Sequence, residues 1–502
     1  VLLLAVIAAG SFLRLVGLGH ESLWNDELSS WYRSSFPSIR QVVDLGVKPD
    51  VHPPGYQVLL FCSMRVTGDS ETALRLPSAI AGILTIPVLF LIGRKLFGAS
   101  TGLLGSALLA VSPSHIWLSQ EARPYALLIL LVCLSVLLLI RLLARVQKGE
   151  RASPAEFSAF VLLGILLEYT HYFGLLVFLL EAAALLGLSL ILRRGRLLAA
   201  GAGLAPMVFF LPWLPVALAQ SSSGSYIALP TLKTFYSLVL QYMGWSKVLT
   251  VILLLMVPAG LVMRYFFSRA RDWLHTRELL VPILWLAAPV LVSLAISLVS
   301  VPVFSVRNMM VSLPAVFLLM AVSTHVVFPA PRSRLIVSFA VILLFLFTLF
   351  FVRKHYSEPH RHQFREVVEY LVELEMDPCN TVIAASAWNE AYFNYYLDRA
   401  GTGERVDLLS TGPGDIQRIS GLVGSRDTGF LVLVWGLLEP EQPLIDSLGN
   451  LYTLIDRQEF IGAGLRVYNT PPLKTGSSLL TDPCHVKARE ARECISAGRY
   501  LD

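Results

Sequence analysis

Residues 125–144 read YALLILLVCLSVLLLIRLLA, twenty positions with one charge, Arg141. A helix rises about 1.5 Å per residue, so this run is about 30 Å long, the thickness of a bilayer's hydrocarbon layer. Comparable runs recur on both sides of it, at roughly 1–19, 76–93, 100–118, 155–170, 172–192, 197–219, 248–267, 279–300, 309–328 and 335–352. The expectation is a polytopic α-helical membrane protein of about eleven spans. Composition agrees: 15% of the 502 residues are charged, against about 25% in soluble domains, and mean hydropathy is +0.65.

The net charge of +5 does not point to nucleic acid, because the basic residues sit in short loops between apolar runs rather than in a stripe. The chain opens at Val1 inside an apolar run with no small-residue cleavage site after it. Residues 1–19 are therefore expected to be a retained span rather than a signal peptide, with a few residues preceding Val1. The run Gly55 to Val66, after Pro53-Pro54, is too short to cross and is expected to lie in the interface or re-enter.

Lys and Arg mark cytoplasmic loops. They collect at Arg94-Lys95, at Arg141, Arg145, Lys148 and Arg151, at Arg193, Arg194 and Arg196, at Arg264, Arg269, Arg271 and Arg277, and at Arg332 and Arg334. That pattern puts the 20–75 loop and residues 355–502 outside the cytoplasm and the protein in the cell (cytoplasmic or inner) membrane. Residues 1–354 are expected to form the membrane domain, with 20–75 as its first extracytoplasmic loop. From 355 the composition turns soluble. An amphipathic helix is expected at 366–374 and further helices at 388–398 and 413–423. Strands are expected at 381–385, 430–434, 451–456 and 464–468, making a small α/β domain. Of the five cysteines, Cys379, Cys484 and Cys494 belong to this domain, and Cys484–Cys494 is the pairing expected in an oxidising compartment.

With this topology the unusual polar residues gather on the outer side. They are Arg14, His20, Glu21, Asp26, Glu27, His52 and Arg75, then Glu121, Arg123 and Tyr125, then Glu168, His171 and Tyr172, and finally Arg307. Taken singly, Arg14, Glu168 or Arg75 reads as readily as a snorkelling or ion-paired helix end. As a set they suit transfer from a lipid phosphate. Two arginines on separate loops, Arg123 and Arg307, can meet a phosphate with forked hydrogen bonds. A carboxylate can accept the proton of an attacking hydroxyl or amine. Trp24, Trp31, Tyr32, Tyr125, Tyr169 and Tyr172 can pack on a sugar or prenyl chain, or form an interfacial aromatic belt. Glu181, inside a span, is either functional or a helix–helix hydrogen bond. His355, His360 and His362 fit a juxtamembrane linker better than a metal site.

The order Trp24-Asn25-Asp26-Glu27, His52-Pro53-Pro54-Gly55-Tyr56, Gly68-Asp69-Ser70-Glu71 with Arg75-Leu76-Pro77-Ser78, and Gln120-Glu121-Ala122-Arg123-Pro124-Tyr125 resembles the GT-C glycosyltransferases. Within them it is most similar to the branch of protein O-mannosyltransferases and the lipid A aminoarabinose transferase. The likeness is strongest over residues 1–175. It implies an inverting transferase that takes a sugar from a polyprenyl-phosphate carrier to a lipid, glycan or protein acceptor, with Asp26 as general base. Glu27 would support Asp26 or contact the acceptor. Arg123, Arg307, His52 and Tyr125 would hold the donor phosphate, and Trp24, Glu121, Glu168, His171 and Tyr172 would contact substrate. The chain departs from the aminoarabinose branch at His52, where a Lys often stands. It shows no large β-trefoil pattern after the spans, which points to a bacterial or archaeal type of enzyme. No ligand motif requires a metal, although a divalent ion bridging the acidic pair to the donor phosphate is chemically reasonable. The rival readings are a transporter or flippase of lipid-linked sugars and a ligase using a polyprenyl-diphosphate donor. No internal repeat and no mid-depth polar break favours the transporter.

Overall fold

The computed structural model describes residues 1–470 apart from 223–226, 268–272, 375–380, 387–388, 402–405, 410–416, 418, 422, 424–428 and 438–441. The chain divides into two compact units. One comprises Val1–Leu18 and Arg33–Glu358, the other Gly19–Tyr32 and Pro359–Asp502. The boundary expected at residue 354 moves four residues, and residues 19–32, expected in the membrane domain, group with the C-terminal unit. Hydrogen bonds hold them there. The Leu23 amide donates to the Tyr396 hydroxyl at 2.7 Å, the His360 amide to Glu21 Oε1 at 2.7 Å, and Arg365 to the His20 carbonyl at 2.6 Å.

Every apolar run singled out in the first unit lies on helix. Among the described residues seven helices are long and apolar enough to cross a membrane, or nine if the bent pairs Ala99–Ala110 with Pro113–Ser119 and Arg196–Phe210 with Leu214–Ser221 each count once. The expected spans at 1–19 and 155–170 are helices of 14 and 17 residues, about 21 and 26 Å long. By length and composition seven to nine spans qualify among the described residues, which does not confirm the expected eleven, and the protein is a multi-pass membrane protein. Gly55–Thr67 is a single helix of 13 residues, too short to join that count. Helix Leu232–Tyr242 was not anticipated.

Local sequence sets the helix ends. Ser153 accepts from the Glu156 amide while Glu156 accepts from the Ser153 amide, and Pro154 follows, a capping box that starts the Pro154–Thr170 helix. Glu71–Phe97 begins with the Ser70 hydroxyl on the Ala73 amide and ends with Arg94 and Lys95 before Gly98, whose φ of +94° stops the helix. At the 63° bend between Ala99–Ala110 and Pro113–Ser119, Pro113 lacks an amide hydrogen. Arg14 fills the break, donating to the Leu109 and Ala110 carbonyls at 3.0 and 2.9 Å. Its other partners are the Gly10 carbonyl and His115 Nδ1. Arg14 is fully buried and therefore does not snorkel. Glu181 accepts a 2.8 Å hydrogen bond from Ser135 on a neighbouring helix, the helix–helix bond that was one of its two readings.

The second unit carries a five-stranded sheet, β1 (Thr381–Ser386), β2 (Val406–Leu409), β3 (Phe430–Gly436), β4 (Thr453–Phe460) and β5 (Ala463–Asn469). Their order is β2-β1-β3-β5-β4. β1 pairs parallel with β2 and β3, and β5 antiparallel with β3 and β4. β3 is buried along its whole length, as a strand covered on both faces must be. On one face Val382, Ala384, Leu431 and Leu433 meet Leu444 and Leu448 of helix Gln442–Leu451. Helices Phe364–Glu373 and Glu390–Ala400 pack on each other through Phe364 and Phe393, ring centroids 5.1 Å apart. The strands expected at 381–385, 430–434, 451–456 and 464–468 match four of these, whereas β2 was missed. The helix expected at 413–423 falls partly outside the described residues, and Cys379, Cys484 and Cys494 lie wholly outside them.

Candidate active site

In the first unit, Pro53 and Pro54 lead into helix Gly55–Thr67, and Gly55 is the point of closest approach. A Cβ built there would stand 2.5 Å from the Tyr169 carbonyl, so only glycine lets this helix start touch the 169–170 backbone. That approach brings His52 to His171, ring centroids 5.4 Å apart. Arg123 Nη2 lies 3.5 Å from His52 Nε2. The Arg123 loop is fixed from below: Ser78 donates to the Arg123 carbonyl at 3.1 Å and shares a 2.9 Å hydrogen bond with Tyr56.

The Tyr125 ring lies 5.8 Å from His171 and 5.9 Å from the Arg307 guanidinium. Arg307 Nη1 stands 3.8 Å from Glu121 Oε1, a charge contact too long for a hydrogen bond. Arg307 precedes the short helical turn Asn308–Ser312, which Tyr242 holds at the Met309 carbonyl and Trp285 at the Val311 carbonyl, each at 3.0 Å. Five of the residues expected around the donor phosphate and sugar therefore converge, namely His52, Arg123, Tyr125, His171 and Arg307, with Glu121 at the edge.

Electrostatics divides the two histidines. His171 Nδ1 accepts from the Phe173 amide at 3.0 Å. Burial first, then the positive charge of His52 and Arg123, pushes His171 well below the usual imidazole range. It is thus a neutral ring at neutral pH, with its proton left on Nε2. His52 is tied instead to Asp50, Nδ1 to Oδ2 at 3.3 Å. Burial alone would raise the Asp50 carboxyl, but the hydrogen bond and charge of His52, with the Arg33 guanidinium at 3.4 Å, bring it down to about 2. The group can meet an anion with two guanidinium forks, an imidazole and a neutral N–H donor.

Other expected site residues are used differently. The Tyr172 hydroxyl accepts from Trp213 Nε1 at 3.0 Å and donates to Gln220, which in turn holds the Val47 carbonyl. Glu168 is fully buried, and neither of its oxygens has a hydrogen bond among the described residues. Arg75 donates to the Leu18 carbonyl at 2.8 Å.

In the second unit, Asp26 and Glu27 lie in the first turn of helix Asn25–Ser34. Glu27 is fully buried, with Arg361 Nη1 at 2.9 Å on its Oε2. Arg361 Nε also faces Glu21 at 3.2 Å. Asp26 is half-buried, and its charge partly offsets the burial that lowers the His362 imidazole below its usual range. The Trp24 indole meets His362 edge-on at 5.7 Å. Arg361 was missed in the sequence. It sits between two histidines in what reads as a linker, and nothing local pairs it with a glutamate 334 positions away. Of the three histidines, His355 belongs to the first unit and bonds Gln120 at 2.7 Å, and His360 and His362 belong to the second. Among the described residues no three His, Cys, Asp or Glu side chains come together as a metal would need.

Residues 51–216 match the family described as dolichyl-phosphate-mannose-protein mannosyltransferase. That stretch holds His52, Glu121, Arg123, Tyr125, Glu168, His171 and Tyr172, but not Asp26, Glu27 or Arg307. No curated protein sequence matches the chain. Among solved structures, ArnT from Cupriavidus metallidurans in the apo state aligns over 92% of this chain and 97% of its own, at 12% identity and TM-score 0.59. The same protein bound to undecaprenyl phosphate aligns over the same shares at 11% identity and TM-score 0.54. An oligosaccharyltransferase from Archaeoglobus fulgidus, in complex with Zn and sulfate, aligns over 94% of this chain and 74% of its own, at 11% identity and TM-score 0.49. At such identities the likeness to ArnT is one of fold. The chain resembles the GT-C glycosyltransferases, with a polytopic helical domain and a C-terminal α/β domain, and the match over 51–216 supports a transferase.

Proposed function

We propose that this protein is an inverting glycosyltransferase that moves a sugar from a polyprenyl-phosphate carrier to an acceptor outside the cytoplasm. The observation that carries the reading is the convergence of Arg123, His52, His171, Tyr125 and Arg307 in the first unit. A lipid phosphate is an anion that needs forked donors at an interface, and that is what these side chains supply. ArnT, whose fold this chain shares, has been solved with undecaprenyl phosphate bound, a lipid phosphate of the class proposed. The extracytoplasmic placement rests on the Lys/Arg bias of the loops.

Asp26 is the proposed base. The acceptor's hydroxyl or amine attacks the anomeric carbon as the bond to the phosphate oxygen breaks. Its proton passes to the Asp26 carboxylate, and the polyprenyl phosphate leaves with its charge met by Arg123 and Arg307. The contrast with Glu27 supports this assignment. Glu27 is buried against Arg361 and has no access to an acceptor from solvent, whereas Asp26 keeps solvent contact. His52 and the His171 N–H would add donors to the phosphate, and Trp24 and Glu121 would border the substrates.

Mass spectrometry of lipid-linked sugars and envelope glycans, with and without the protein, tests the reading. Loss of one glycan modification together with build-up of one polyprenyl-phosphate sugar is the expected result. Unchanged pools of both would overturn it.

A further inference from the structure

The same helix that carries Tyr125 at one end carries Arg145 twenty residues later, about 30 Å away along the axis and thus one hydrocarbon thickness distant. At that end the first unit has a cavity of about 480 Å³, lined by Arg145, Arg151, Arg194 and one acid, Glu150, together with Phe157, Leu185 and Leu198. It forms where Tyr125–Lys148 ends, Pro154–Thr170 begins, and Tyr172–Ile191 gives way to Arg196–Phe210. Arg194 joins the two turns by donating to the Gln147 carbonyl at 3.0 Å.

The three arginines are not equivalent. Arg145 already faces Glu156 at 2.8 Å and Glu150 at 3.3 Å. Neither Arg151 nor Arg194 has a carboxylate at ion-pair distance among the described residues. Positive charge therefore exceeds negative charge at the mouth of a cavity whose walls are aromatic and aliphatic. A soluble anion would use the arginines and leave the Phe157, Leu185 and Leu198 walls wet. A glycerophospholipid with an anionic headgroup uses both, its phosphate on the guanidinium groups and its acyl chain along the apolar wall.

We propose that this cavity is a binding site for an anionic phospholipid, at the membrane face opposite the Arg123–Arg307 cluster. By the loop charges that face is cytoplasmic, where anionic lipids give the surface its negative potential. The site is separate from the proposed sugar transfer, and its test reads lipid binding alone. The purified full-length protein in detergent is titrated with phosphatidylglycerol and, separately, phosphatidylcholine, and bound lipid is counted by native mass spectrometry. Phosphatidylglycerol should bind in preference. The double substitution Arg151→Gln with Arg194→Gln should weaken it about thirtyfold and leave phosphatidylcholine unaffected, while Arg151→Lys with Arg194→Lys should retain most of the binding. Both arginines are exposed, so thermal unfolding should be unchanged. Equal binding of the two lipids, or full phosphatidylglycerol affinity in the glutamine variant, would overturn the proposal. Displacement of the lipid by millimolar inorganic phosphate would reassign the cavity to a soluble anion and overturn it equally.

Discussion

Asp26 and Glu27 are adjacent in sequence and opposite in circumstance, and the same opposition separates the charged regions of the two units. Around Glu27 the charges are consumed: Arg361 lies between Glu27 and Glu21, buried and fixed by both. Around Arg123 they are presented: two guanidinium groups and two imidazoles share a site with Asp50 and Glu121, and one of those imidazoles is kept neutral by burial. A buried cluster whose charges face one another serves the fold rather than a ligand. A cation-rich group with a spare N–H donor is suited to an anionic ligand. Residue type alone does not distinguish the two cases, since both contain arginine and glutamate.

The largest expected effect separates the two neighbours. Asp26→Asn keeps size and helix position but cannot take a proton, so turnover should fall by about 10²–10⁴ with donor binding retained. Full turnover on the true acceptor would remove Asp26 from the mechanism. Glu27→Gln should act on stability instead. It removes the 2.9 Å contact on Arg361 but leaves Glu21 at 3.2 Å as its partner, so the cost should stay below the about 3–5 kcal/mol of stranding a buried charge. The fall should appear as a lower Tm, while kcat of the folded fraction stays within a few-fold. Arg361→Met combined with Glu27→Leu should recover part of the loss, because apolar side chains replace the buried arginine and its lost partner together. A Glu27→Gln protein with unchanged Tm and no activity would exchange the roles of the two acids.

On the cationic side, Arg123→Ala should lower kcat by about 10²–10³, the scale for removing one fixed donor to a developing charge. Arg123→Lys should rescue it poorly, because a point charge does not reproduce the fork. Arg307→Ala should cost less, roughly tenfold, since Arg307 is 34% exposed and already faces Glu121. Steady-state kinetics with the donor varied would rank the two. A larger loss at Arg307 would place the phosphate nearer the Asn308–Ser312 turn.

Much of the fold was legible in the sequence, and the unread part has a physical pattern. Apolar length and period gave the helices, because hydrocarbon imposes them locally. The segment His52-Pro53-Pro54-Gly55 was legible as a motif, although the need for glycine became visible only with the Tyr169 carbonyl against it. Arg14 looked like a member of the outer polar set, yet it holds the backbone carbonyls at a helix break together with His115. Arg361 and the assignment of residues 19–32 to the second unit were not legible, because they depend on pairings across more than three hundred positions that no local pattern encodes. β2 failed for a different reason: Val406-Asp407-Leu408-Leu409 is too short for an alternation signal to stand out.

The smallest expected effect concerns Asp50, which sits between the two behaviours: a charge consumed by its neighbours inside the cationic group. Its carboxyl titrates at about 2 instead of the usual 3.8, because His52 and Arg33 outweigh the opposing effect of burial. A depressed acid stabilises the folded state fully above its unfolded pKa, and loses that contribution as pH falls through its folded value. The wild-type advantage over Asp50→Asn should therefore be complete at neutral pH, on the order of 2 kcal/mol at most. It should shrink between about pH 4 and pH 2. Thermal unfolding of both proteins across that range, at constant ionic strength, reads the difference directly. A Tm gap that does not narrow toward pH 2 would mean that His52 is held by something other than Asp50. The donor-binding role of His52 would then have to be separated from the Asp50–Arg33 pair by substituting His52 alone.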